Sequence, residues 1–68
     1  MEPYQQRVVD EKNELEAKAK ALSNFIGLNE KFDTLSPEGQ DRLREQNDVM
    51  WQYFEILEAR ISAFGETK

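Results

Sequence analysis

The stretch "DVMWQYFEILEARISAF", residues 48–64, decides the fold. Its residues Met50, Phe54, Leu57, Ile61 and Phe64 stand four, three, four and three apart, a spacing that lines one face of an α-helix and suits no strand. The same pattern runs back through Asn47 to Leu43, a heptad-like seam in which Asn47 is the one polar member and sets register. Upstream, Ser36 offers a hydroxyl cap, Pro37 fits a first helical turn and Glu38 faces the positive end of the dipole. A helix over residues 37–64, ending at Gly65, is therefore expected.

This helix carries more apolar surface than one partner can hide. Val49, Tyr53, Ile56 and Ala63 fall to one side of the seam, so the apolar arc spans roughly 180°. One partner helix covers about half of that arc. The remainder meets a second copy of the chain or a ligand, or is an aggregation liability, unless Tyr53 and Ile56 pack beneath the connector of the same chain.

A matching helix precedes it. Tyr4, Val8, Leu15, Ala19, Leu22 and Ile26 recur at steps of three, four or seven, with strong helix formers between them, as in "EKNELEAKAKAL". The spacing predicts a helix over residues 3–26 with Pro3 in its first turn and Gly27 as a left-handed C-cap. The connector, residues 27–36, holds "LNEKFDTLS", a short helical turn whose Leu28, Phe32 and Leu35 cover the end of the hairpin. The expected architecture is all-α: one domain, 1–68, forming an antiparallel helical hairpin that assembles into a homo-oligomer. A chain of 68 residues has only a marginal core, so a partner is expected.

Composition narrows the chemistry. No cysteine or histidine occurs, which removes disulfides, thiolate nucleophiles, the usual zinc ligands and the commonest general base. Nine basic residues against fourteen acidic ones give a net charge of −5, which opposes broad binding to DNA or to an anionic membrane. No apolar run approaches the roughly 20 residues of a membrane span, and none resembles a signal peptide. The glycines form no phosphate loop. Carboxylate pairs such as Glu11 with Glu14 and Glu55 with Glu58 look like solvated faces. No enzyme activity, cofactor or metal is expected, and the chain reads as a soluble cytoplasmic protein.

Three residues stand out. Arg60 lies inside the apolar arc, so it is paired with an acid across an interface, reserved for an anion, or laid along apolar surface with its head in water. Lys18 lies off the solvent face of the first helix, whereas Lys12 and Lys20 look exposed or paired with nearby acids. Tyr4 ends the first seam, where its ring either packs or stacks on a planar ligand.

The joint order "YQQRVVDEKNEL", Lys18 with "LSNFI", "RLREQNDVM" and "ILEARISAF" resembles the small phage hairpin proteins of the anti-CBASS and anti-Thoeris sponge type. These sequester the cyclic-nucleotide signals of bacterial anti-phage defence. The resemblance covers about Tyr4 to Phe64. It implies a hexamer in the host cytoplasm that binds cyclic dinucleotides, with cyclic trinucleotides in a second pocket, and does not cleave them. It further implies that Tyr4 stacks on a base, beside Arg7 and Val8 of "RVVDEK". Lys18 would meet a phosphate, with Lys20 as the competing match, and Arg60 with Ser23 would serve the second pocket. Two other readings stay open: a helical protein-binding or scaffold module of a phage, and a nucleic-acid-binding regulator, which the charge balance opposes.

Overall fold

The computed structural model describes residues 1–65. Helix α1 spans Pro3–Leu28, a single turn α2 spans Glu30–Asp33, and α3 spans Pro37–Phe64. The described residues contain no strand. The two long helices pack against each other along their length as an antiparallel hairpin. The result is a rod of 52 × 15 × 14 Å. Its radius of gyration of 15.4 Å exceeds the about 11 Å of a compact chain of this length.

The expected seams form the helix interface. From α3, Leu57 is fully buried, and Leu43, Asn47, Met50, Phe54, Ile61 and Phe64 are half-buried. From α1, Val8 and Ala19 are buried, with Leu15, Leu22 and Ile26 half-buried beside them. Burying one such leucine contributes about 1.5–3 kcal/mol, so this thin core holds the hairpin with little to spare.

Ser36 caps α3 as expected: its hydroxyl accepts from the Gly39 N–H at 3.1 Å. The end of α1 differs. No described glycine has a positive φ, and Gly27 is an ordinary helical residue, the penultimate one of α1. Asn29 supplies the termination instead. Its backbone turns extended, its N–H donates to the Phe25 carbonyl at 3.2 Å, and its side chain accepts from the Lys31 N–H at 2.8 Å, capping α2. One residue that ends one helix and starts the next moves the boundary two residues beyond 26.

The connector closes the hairpin through Phe32 rather than through three apolar residues. Phe32 is buried, edge-on to Phe25 with centroids 6.1 Å apart. The Arg44 guanidinium lies 5.1 Å from the Phe32 ring centroid. Gln40 ties α3 to the connector by donating to the Phe32 and Leu35 carbonyls at 3.1 and 3.2 Å. Leu28, expected to help cover this end, is 81% exposed, because the cap at Asn29 leaves it on the outer face of the last turn.

Candidate ligand site

Antiparallel packing brings the start of α1 beside the end of α3. There the Tyr4 ring meets Phe64 edge-on, with centroids 5.9 Å apart. Tyr4 is nevertheless 56% exposed, so much of its ring is open for stacking on a planar group. Arg7, one turn along α1, and Arg60, one turn before Phe64, are both exposed at this end. Val8 is different. Its side chain is buried in the core, so its part at this end is to hold α1 against α3.

The cations differ in their partners. Lys20 pairs with Glu16 at 3.6 Å and Arg44 with Asp41 at 3.6 Å, both on exposed surface where such pairs are weak. Among the described residues Arg7, Lys18 and Arg60 form no ion pair. An exposed cation without a carboxylate partner is free to meet a phosphate. Lys18, expected off the solvent face, is exposed, and unlike Lys20 it has no acid at ion-pair distance among the described residues.

Lys12 departs from expectation. It is half-buried, and its ammonium lies 5.8 Å from the centroid of the Phe54 ring. Lys12 falls four residues after Val8 and three before Leu15, so it occupies the seam position that the seven-residue step passes over. A long side chain there lies along the groove and places its charge on an aromatic face.

Ser23 takes part in a polar contact between the helices. Its hydroxyl donates to the Asn47 amide oxygen at 2.9 Å and accepts from the Trp51 indole N–H at 3.1 Å. The Asn47 amide nitrogen donates to the Ala19 carbonyl at 3.0 Å. Asn47 thus has a partner at each end of its amide. The small Ala19 side chain lets that amide reach the backbone of α1.

The candidate residues do not converge within one chain. Tyr4, Arg7 and Arg60 share one end, whereas Lys18 lies fourteen residues along α1 from Tyr4, about 21 Å at 1.5 Å per residue. Ser23 lies farther still. A shallow depression at the connector end is lined by Ala21, Asn24, Phe25, Leu28 and Asn29, and it includes none of the candidates and no charged group. The apolar flank of α3 is uncovered: Val49, Tyr53 and Ile56 are exposed, so the connector does not pack over Tyr53 and Ile56. No described helix is long and apolar enough to cross a membrane.

The model of one protein family, described as Sequestin, matches residues 2–63, a span that includes every candidate residue. No curated protein and no solved structure matches the chain.

Proposed function

The chain belongs to the Sequestin family, and from that premise we propose that it is a phage immune-evasion protein acting in the host cytoplasm. It binds cyclic di- and trinucleotide signals of bacterial defence and holds them without cleavage. The family name speaks of sequestration, which is binding without turnover. The side chains that suit such a ligand are an open aromatic ring and cations without acid partners. In this reading Tyr4 stacks on a base, Lys18 and Arg7 meet phosphate, and Arg60 serves the second pocket.

The separation of Tyr4 from Lys18 carries the reading. Within one copy the two lie about 21 Å apart along α1, so in this reading a cyclic dinucleotide takes them from different copies of the chain and each site is shared between subunits. A twofold arrangement then gives each half of a symmetric ligand the same ring and the same cation. Two or three cations per protomer suffice, which reconciles a net charge of −5 with an anionic ligand. A homohexamer satisfies this requirement with several such sites.

A thermal-shift panel tests it, with cyclic dinucleotides, cyclic trinucleotides and cyclic nucleotides built on a pyrophosphate set against linear mononucleotides. A member of the cyclic classes raises the melting temperature in proportion to the logarithm of its concentration. Absence of any shift across the panel overturns the reading and favours the protein-binding module, for which the uncovered Val49, Tyr53 and Ile56 would be the docking face.

A further inference from the structure

We infer that Phe64 is a positioning residue for the base site: it holds the Tyr4 ring in the one orientation in which a planar base stacks on it. This deepens the reading in which Tyr4 carries the base, and rests on it.

The contact joins residues far apart in the sequence. Tyr4 lies in the first turn of α1 and Phe64 is the last residue of α3, and their rings meet at an interplanar angle of 80°. An edge-to-face contact takes up either the edge of Tyr4 or one of its faces, so at least one face stays open for a base. The two rings are not equally free. Phe64 is half-buried, whereas Tyr4 is 56% exposed, so the anchored ring limits the exposed one.

Without such a neighbour, an exposed aromatic side chain on a helix moves between two χ1 wells. A ligand that needs one of them then meets the cost of ordering the side chain at the moment of binding. Contact with Phe64 moves that cost to folding.

The backbone that carries Tyr4 is fixed as well. A first helical turn has N–H groups without helical partners and frays unless tied down. Here the Glu2 carbonyl accepts from the Gln5 and Gln6 N–H groups at 3.0 and 3.1 Å, and the Glu2 N–H donates to the Gln5 side-chain oxygen at 2.7 Å. One turn on, Val8 is buried in the helix interface. With the turn closed and Val8 seated, the remaining freedom of Tyr4 is its side-chain rotation, and Phe64 is the ring that meets it.

Calorimetric titration of the whole chain with cyclic diadenylate and with cyclic diguanylate tests the inference, alongside three-bond couplings that report the χ1 of Tyr4 in the ligand-free protein. In the wild type the couplings show a single rotamer. In Phe64→Leu they average over two, and affinity falls roughly three- to tenfold, the size of ordering one side chain. Phe64→Tyr keeps the ring and with it the single rotamer and the affinity. Tyr4→Ala itself weakens binding roughly tenfold or more. In that background Phe64→Leu costs no further affinity, whereas a general weakening of the helix end would persist there. Averaged couplings in the wild type, unchanged affinity in Phe64→Leu, or a full further loss in the Tyr4→Ala background overturns the inference alone. A Tyr4→Ala variant that binds as tightly as the wild type, or a wild type that binds neither nucleotide, overturns the reading that Tyr4 carries the base of a cyclic dinucleotide, and the base-site role of Phe64 with it.

Discussion

The Ser23 hydroxyl and the Asn47 amide oxygen are joined by a 2.9 Å hydrogen bond across the two helices. Around it, Trp51 donates to Ser23 and Asn47 donates to the Ala19 carbonyl. Apolar side chains alone tolerate a slip of one helix along the other. A slip here would part three hydrogen bonds and leave their groups half-buried without partners, so this contact fixes which residues of α1 lie beside which residues of α3. The placement of Tyr4 beside Phe64 depends on that register.

Ser23→Ala removes the acceptor of the Trp51 indole and the donor to Asn47. An expected loss of about 1–3 kcal/mol follows from leaving such groups unsatisfied. Trp51 is the sole tryptophan, so its fluorescence reports urea unfolding directly, and its emission should shift as its indole N–H loses a partner. An unchanged midpoint and spectrum would show that the contact does not hold the helices.

Among the described residues Leu57 is the one large side chain that is fully buried. Leu57→Ala should cost about 2–5 kcal/mol, a large share of the stability of so small a core. A substantial unfolded fraction at room temperature is the expected result, read from the helical circular dichroism signal.

Gly27 sits in helical conformation, and a Cβ added there meets nothing within 4 Å. Gly27→Ala should therefore stabilise the chain by about 0.5–1 kcal/mol, seen as a higher melting temperature. Were Gly27 a left-handed cap, the same change would lower it.

Much of this was legible in residue spacing. The steps of three and four placed both seams and the wide arc of α3, and Ser36-Pro37-Glu38 marked where α3 begins. The end of α1 was harder to read, because Gly27 is a stronger stop signal than Asn29, yet Asn29 makes hydrogen bonds to both flanking helices. Asn47 stood out as a polar seam residue. That its partners are Ser23 and Ala19, and that Trp51 joins them, depends on helix rotation, which spacing along one helix does not supply. Lys12 was readable in principle from the vacant seam step between Val8 and Leu15. The wide separation of Tyr4 from Lys18 followed as soon as both lay on one helix.

Lys18 and Lys20 should behave differently toward ligand. Lys18→Ala removes a cation without an acid partner and should weaken cyclic-nucleotide binding roughly tenfold or more, as expected for a charge-assisted hydrogen bond. Lys20→Ala removes one already held by Glu16 at 3.6 Å and should leave binding unchanged. Calorimetric titration of both variants checks the contrast, and equal effects would remove the assignment of Lys18.

Binding without turnover is the central claim, and recovery of the ligand tests it most directly. The protein is incubated with a cyclic nucleotide that raises its melting temperature, separated from free ligand, and denatured by heat. The account predicts release of the intact cyclic nucleotide in a fixed ratio to protomer, with none linearised after prolonged incubation. Release of linear product, or retention of no nucleotide by the assembled protein, would contradict it.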